Sequence, residues 1–379
     1  MSAPAADWSD TASGAPVFGV LHNDRLWVGG NQNDPHRMYY STASDHDEFV
    51  ASGAGTFPIF SGEGEKLVAA ASFKGQLYCW KFPRGIYYID SRDPTVANWR
   101  VDRISNSIGM AGPQAYAIID SDIIFMDSSG QFHVISNITE ESRITSNISK
   151  TAFMGQWVRD NVNMSQLHKA KMVYYPDKRE VHCAIAGKGS TVNNLRIVLD
   201  FNIPDIVRFR TSDKDTVQAI WVKLDADNID RIATGDADGF VWNLDTDAKT
   251  KDGTGYEGKV RTPYMDLSHL DPNFGTIQKN LKWLEMAVNP VGNFDVNVTI
   301  YIDGEKSETV TFNMGTGGAA LGSFVLNTDV LGGDTVLNKK RRISGAGRRF
   351  SFEISNSGNN EDFNISRLYL HFTPGSTRL

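Results

Sequence analysis

The sequence predicts an all-β protein, in which a β-propeller-like domain of short antiparallel meanders is followed by a β-sandwich domain of jelly-roll type. Runs rich in Val, Ile, Tyr, Phe and Trp recur between clusters of Gly, Asp, Asn and Pro, a pattern typical of short strands joined by tight turns. These runs form five groups at a spacing of roughly 50 residues, about the length of a propeller blade. After Asp245 the sequence becomes polar and rich in Gly and Asp, which predicts a domain boundary.

The first group contains two aromatic runs, RLWVGG from Arg25 to Gly30 and RMYYS from Arg37 to Ser41. The residues between them, NQNDPH, combine Asn, Asp and Pro, which favour turns for separate backbone reasons. This segment is therefore predicted to be a hairpin.

Four further groups follow the same pattern, with turns marked by Lys-Gly, Pro-Arg-Gly, Ser-Asp, Ser-Ser-Gly and Pro-Asp. The predicted strand groups occupy residues 66–90, 115–136, 170–201 and 219–245. One helix is predicted over residues 146–162, because Phe153, Met154, Trp157 and Val158 recur at helical spacing. We interpret this apolar stripe as packing.

The predicted domain organisation is an N-terminal arm at residues 1–16, the propeller-like domain at 17–250 and the sandwich at 251–379. The arm is small and polar and has no feature of a signal peptide. In the sandwich, Val296, Val298 and Ile300 alternate with polar residues, so one face of that strand is expected to be buried. No window approaches the roughly 18 apolar residues of a membrane helix, so no membrane span is predicted.

Composition argues against some function classes. The chain has 379 residues and a formal net charge of -7, so no general basic excess points to nucleic-acid binding. Its two cysteines, Cys79 and Cys183, lie in apolar strand-like runs and are predicted to be reduced and buried, which suits a protein made in a cytoplasm.

No catalytic motif occurs, whether a G-x-S-x-G elbow, an H-E-x-x-H pair or a phosphate-binding loop. None of the eight His has metal-ligand spacing to another His or to a Cys. His182 adjoins Cys183, but neighbouring strand residues point to opposite faces of a sheet. The chain is therefore predicted not to be an enzyme and to hold no cofactor or metal.

Five carboxylates invite a different interpretation. Asp225, Asp227 and Asp230 lie in DADNID, and Asp236 and Asp238 lie in GDADG. A D-x-D turn can bind calcium through oxygen ligands, although the spacing here is not that of an EF-hand, and a pair of carboxylates suits glycoside cleavage. Asp and Asn are also preferred in tight hairpin turns for backbone reasons alone. The sequence leaves both interpretations open and favours the turns.

The sharpest charge feature is the segment NKKRRISGAGRR, residues 338–349. It is a candidate contact for DNA phosphates or for an acidic partner surface, and the alternative is a solvated loop before the strand that begins at Phe350. No aromatic stacking platform is evident around it in the sequence. The candidate residues are Lys339, Lys340, Arg341, Arg342, Arg348 and Arg349.

The opening segment resembles the nozzle proteins of short-tailed bacteriophages, also called tail tubular protein B or tail hub proteins. The family's early chain runs from an Arg-initiated strand ending in Gly, through a polar turn with Pro, to an aromatic strand ending in Ser and an acidic segment ending in Phe. The corresponding elements here are Arg25 to Gly29, Asn33 to Pro35, Met38 to Ser41 and Asp45 to Phe49. Later stretches are similar in the same order, at residues 113–135, 234–245, 260–267, 279–286, 341–355 and 363–378.

This resemblance implies a structural virion protein of the tail, made in the host cytoplasm and assembled as a ring, usually sixfold. The ring would lie below the portal and adaptor proteins, carry fibres or spikes, and let DNA pass without sequence-specific contact. A different class of protein, a carbohydrate-binding or glycoside-cleaving β-propeller, is the alternative. A third class, a cellular protein-interaction propeller, is disfavoured because no blade repeat of the Trp-Asp type occurs.

Overall fold

A computed structural model describes residues 14–62, 64–93, 95–137, 154–203, 206–213, 216–244, 246, 250, 253–289, 292–315, 337–359 and 361–375. Strands dominate these residues, so the predicted all-β class is confirmed. The chain divides into two compact units, Met1–Asp245 and Thr246–Leu379, close to the boundary predicted after residue 250. The predicted N-terminal arm falls mostly outside the described residues. No helix among the described residues has the length and apolar character needed to cross a membrane.

The described part of the first unit consists of five antiparallel sheets, each built from strands that are consecutive in the sequence. The first two sheets contain β1 Phe18–His22, β2 Arg25–Gly29, β3 Arg37–Tyr40 and β4 Gly55–Pro58, then β5 Lys66–Phe73, β6 Gln76–Phe82, β7 Ile86–Asp90 and β8 Arg100–Ser105. The other three contain β9 Tyr116–Ile118, β10 Ile123–Met126 and β11 Phe132–Val134, then β12 Lys171–Tyr175, β13 Glu180–Ile185, β14 Leu195–Ile203 and β15 Ile206–Ser212, and finally β16 Ala219–Leu224, β17 Asp230–Gly235 and β18 Val241–Asn243.

These meanders confirm the predicted strand groups. The opening hairpin pairs β2 with β3, with Trp27 opposite Tyr40. The structure adds β1 before this hairpin and β4 after it, and it adds β8 and β15 as the last strands of their sheets. β8 and β15 each contain two Arg, which weakens their apolar pattern, whereas β1 contains Phe18, Val20 and Leu21 and could have been recognised from its own residues.

Successive meanders pack through their first strands. β1 contacts β5, β9 contacts β12, and β12 contacts β16. The second and third meanders are joined by several contacts, among them a hydrogen bond of 3.1 Å that the Tyr116 hydroxyl donates to the Ala70 carbonyl oxygen. One large core runs through the second, third and fourth sheets, and it includes the buried aromatic rings of Trp80, Phe125 and Phe132. The second, third and fourth meanders thus share one apolar interior, while buried residues of the first and fifth meanders pack in separate clusters.

The predicted helix is present in its described part as α1, Met154–Asn161. The start of the predicted segment, residues 146–153, lies outside the described residues. Met154 and Val158 are buried on one side of α1, and the Trp157 ring meets Phe209 edge-on at 5.7 Å between ring centroids. The apolar stripe therefore serves packing, as predicted.

The second unit is a sandwich of two antiparallel sheets around a shared core. One sheet has the order β19-β25-β21-β22, and in the other the long strand β20 pairs with β26 on one side and with β23 and β24 on the other. The strands are β19 Gly258–Arg261, β20 Lys279–Asn289, β21 Asp295–Ile302, β22 Glu305–Asn313, β23 Leu337–Arg342, β24 Ala346–Gly347, β25 Phe350–Asn356 and β26 Asn364–Pro374. Val296, Val298 and Ile300 are fully buried, so the predicted alternation is confirmed.

Candidate functional site

The first half of the basic segment is part of a sheet and not a solvated loop. Its first four charged residues lie in β23, which pairs with the central strand β20. The register places Lys340 opposite Glu285 and Arg342 opposite Trp283. Because side chains alternate along a strand, the four charges divide between two surfaces.

The side chains of Lys339 and Arg341 lie on the face of β23 opposite to that of Lys340 and Arg342, near the C-terminal end of β22. The Lys339 ammonium donates a hydrogen bond of 2.9 Å to the Gly315 carbonyl oxygen. The Arg341 guanidinium donates one of 3.2 Å to the Thr311 carbonyl oxygen and lies 5.9 Å from the centroid of the Phe312 ring. These two side chains therefore bind the unit's own backbone.

Arg348 and Arg349 form a tight corner before β25. The Asp303 carboxylate accepts hydrogen bonds from both of their backbone N–H groups, at 3.1 and 2.8 Å. The fully buried ammonium of Lys279 donates a hydrogen bond of 2.6 Å to the Arg348 carbonyl oxygen. The corner is fixed through its backbone, while both Arg residues are exposed.

Lys340 and Arg342 lie on the outer face of the sheet, together with side chains from β20 and β26. We call this surface the basic-aromatic face, defined by Trp283, Glu285, Lys340, Arg342, Arg367, Tyr369 and His371. Pairing of β20 with β26 places Trp283 opposite His371 and Glu285 opposite Tyr369. The six predicted residues are thus not one site, because only two of them belong to this face.

Two exposed aromatic rings stand among these charges. Trp283 is 41% exposed and Tyr369 is 40% exposed. The Lys340 ammonium lies 5.3 Å from the centroid of the Trp283 ring, and the Arg367 guanidinium donates a hydrogen bond of 3.3 Å to the Tyr369 hydroxyl. The expectation that no aromatic platform accompanies the basic segment was wrong, because both rings come from strands distant in the sequence.

The face carries more positive than negative charge. Its single carboxylate, Glu285, lies 3.1 Å from Nε2 of His371. Within the part of the chain that the structure describes, Lys340, Arg342 and Arg367 make no salt bridge. Such a surface suits an acidic or polyanionic partner, because unpaired cations and exposed rings are available together.

Two of the five carboxylates singled out by sequence, those of Asp225 and Asp236, accept hydrogen bonds within their turns. Oδ1 of Asp236 accepts hydrogen bonds from the backbone N–H groups of Asp238 and Phe240, and Oδ1 of Asp225 accepts them from Asp227 and Ile229. The hydrogen bond from the Trp242 indole is the main reason that the pKa of Asp236 is lowered. Across the described ranges, no group of three or more His, Cys, Asp or Glu could hold a metal ion.

His182 and Cys183 point to opposite sides of β13, as predicted. Cys183 lies in the large apolar core. On the other side, Nε2 of His182 lies 3.0 Å from the Glu180 carboxylate and Nδ1 lies 3.1 Å from the Arg196 guanidinium. Arg196 can only donate, so Nδ1 is the acceptor and Nε2 carries the proton. Sequence reasoning missed this buried network, because its members come from different strands.

The first unit also contains a small open cleft of about 290 Å³. The carboxylate among its lining residues, Glu65, accepts a hydrogen bond of 3.1 Å from Arg84. Glycoside cleavage by the common mechanism needs two carboxyl groups roughly 5–9.5 Å apart. The described lining of this cleft does not supply that pair.

No family model and no curated protein matches this chain. Two solved structures that resemble it are an exo-beta-1,3-galactanase from Phanerochaete chrysosporium and a glycoside hydrolase family 43 arabinoxylan arabinofuranohydrolase from Bacillus subtilis. For the first, identity is 9% and the TM-score 0.23, over 93% of this chain and 67% of the galactanase chain. For the second, identity is 10% and the TM-score 0.25, over 93% of this chain and 94% of the other. Similarities this low carry no argument about function.

Proposed function

We propose that the chain is a structural protein of a bacteriophage tail. In this proposal it forms a ring-shaped nozzle or hub below the portal and adaptor, through which DNA is ejected and to which fibres or spikes dock. The protein acts mechanically, as a conduit and a docking platform, and not as an enzyme.

The observation that carries the proposal is that residues of the opening segment, which resembles the start of the nozzle family, contact one another. The Arg25 guanidinium donates hydrogen bonds to the carbonyl oxygens of Ser41, at 2.7 Å, and Gly53, at 2.5 Å. The Ser41 hydroxyl accepts one of 2.9 Å from the Leu26 backbone. Phe49, at the end of the acidic segment, packs in a small core with Val28 and Tyr39. Each motif is weak by itself. Motifs that follow the family's order and also contact one another support a fold in common with the nozzle family more than motifs without mutual contacts would.

The charge distribution is compatible with a DNA conduit. Residues 246–379 contain fifteen Lys or Arg and fifteen Asp or Glu, so the whole formal charge of -7 belongs to residues 1–245. An acidic wall repels phosphates and favours passage of DNA over adhesion. A closed ring further requires two different surfaces on each subunit that complement one another.

Solution mass and electron microscopy test this function. Purified protein should form a ring with a central hole in negative-stain images. The carbohydrate alternative predicts a monomer that binds or cleaves glycans, with loss of that activity in Asp236→Asn or Asp238→Asn. Glycan arrays and reducing-sugar assays on the same sample therefore separate the two classes.

A further inference from the structure

We infer that the basic-aromatic face binds a second copy of this chain, through residues 1–245 of that copy, which carry the whole net negative charge of the chain. This inference rests on the proposed ring, and it assigns one of the two surfaces that a ring requires.

The composition of the face is that of a protein interface. Trp, Tyr and Arg are the residue types that dominate binding energy at interfaces, and Trp283, Tyr369, Arg342 and Arg367 all lie here. The two rings are on neighbouring strands and diagonally adjacent, since Tyr369 lies opposite Glu285 and not opposite Trp283. At that spacing both rings reach the same partner surface.

The charges of the face select an acidic partner. Lys340, Arg342 and Arg367 form no salt bridge within the described ranges. A partner rich in Asp and Glu would supply carboxylates for these three cations. Residues 1–245 of this protein carry 30 Asp or Glu against 23 Lys or Arg. A head-to-tail contact between copies brings the two surfaces together. It leaves the basic-aromatic face unoccupied at one end of the assembly and its partner surface unoccupied at the other, until a ring closes.

Nucleic acid also offers negative charge, but it matches the face less well. Glu285 lies in the central strand between Lys340 and Tyr369, where it would repel a phosphate backbone following the sheet. A protein partner can place a donor against this carboxylate. Binding of nucleic acid is therefore the competing outcome of the test.

The test compares two double variants with the same loss of charge. Lys340→Gln/Arg342→Gln removes two cations of the face, and Arg348→Gln/Arg349→Gln removes two exposed cations of the nearby corner, whose bonds to Asp303 come from the backbone. Trp283→Ala removes the exposed ring. Far-UV circular dichroism and thermal unfolding establish that each full-length variant is folded.

Self-association is measured by sedimentation and mass photometry over a concentration series. We expect the wild type and the corner variant to assemble equally, and Trp283→Ala to weaken assembly roughly thirtyfold, as loss of an interface hot spot does. The Lys340→Gln/Arg342→Gln variant should also assemble less well than the corner variant. Added salt should weaken wild-type assembly, because the contact pairs charges near the surface.

Carbodiimide cross-linking identifies the partner surface directly. A mixture of ¹⁴N- and ¹⁵N-labelled wild-type protein should give mixed-isotope links from Lys340 to Asp or Glu within residues 1–245. If rings form but both face variants assemble like the wild type, or Lys340 links only to residues 246–379, this inference is wrong while the proposed ring stands. A wild type that stays monomeric at every concentration also overturns it, and oligonucleotide binding lost only in Lys340→Gln/Arg342→Gln would assign the face to nucleic acid.

Discussion

The indole Nε1 of Trp242 donates a hydrogen bond of 2.7 Å to the Asp236 carboxylate, six residues earlier in the chain. Two other hairpins repeat this relationship, between Asp127 and His133 at 2.9 Å and between Asp225 and Arg231 at 3.0 Å. In each, the carboxylate also accepts backbone N–H groups two and four residues later. The third residue after each Asp has a positive φ, at Gly130, Asn228 and Gly239. One local device therefore closes three hairpins.

Loss of the Asp236 carboxylate should destabilise its hairpin. In Asp236→Ala the backbone N–H groups of Asp238 and Phe240 and the Trp242 indole lose their common acceptor, so the thermal midpoint should fall. Asp238→Ala is the matched control, because the Asp238 side chain accepts no hydrogen bond within the described structure. Equal destabilisation by both changes, measured by calorimetry, would contradict a turn role specific to Asp236.

The Asp127 hairpin should be more sensitive, because it is more buried. Asp127→Ala leaves the nearly fully buried His133 without its carboxylate partner, and a hydrogen bond to a charged group contributes about 1.5–3 kcal/mol. Urea unfolding of Asp127→Ala should show a loss of that order. Asp120→Ala, on an exposed loop of the same sheet, should lower the free energy of unfolding by less. A larger loss in Asp120→Ala than in Asp127→Ala would contradict this role of Asp127.

Acid should destabilise the first unit through Glu180. Burial opposes ionisation of this carboxyl, but hydrogen bonds from His182 and Arg210 outweigh it and lower its pKa from 4.5 to about 2. A lowered carboxyl pKa stabilises the fold at pH above 4.5, and this contribution is lost as the pH falls toward 2. The free energy of unfolding should therefore drop over that interval, and Glu180→Gln should flatten the drop. An unchanged slope in the variant would exclude Glu180 as its source.

The two cysteines should be unreactive in the native protein. Both are free and fully buried, and burial raises the pKa of Cys79 to about 12 and raises that of Cys183 as well. Since the thiolate is the reactive form, a disulfide reagent at pH 8 should label neither residue until denaturant is added. Rapid labelling of either thiol in the folded state would show that its sheet opens locally.

Local signals in the sequence were sufficient for most of the first unit. Lys74 and Gly75 adopt the left-handed backbone conformation that a two-residue hairpin turn requires, so the pairing of β5 with β6 follows from adjacent residues. The repeated Asp hairpin could also have been found, because an Asp, then Gly or Asn three residues later and a donor six residues later recur in the sequence. The acidic residues were considered as possible ligands or catalytic pairs, and the spacing of three and six residues after each Asp was not recognised.

The basic-aromatic face could not be predicted in the same way. The face consists of residues that lie opposite one another on β23, β20 and β26. These strands are distant in the sequence, and their register is set by which side chains fill the core. Nothing near Lys340 in the chain indicates that Trp283 will lie beside it. The basic segment was recognised by its charge, but its division between two surfaces required the alternation of β23.

The solution mass of the purified chain, combined with negative-stain images of the same sample, tests whether the protein forms a ring. We expect a ring of about six subunits with a central hole. A monomer that binds or cleaves glycans would contradict it and would identify the protein as a carbohydrate-active propeller.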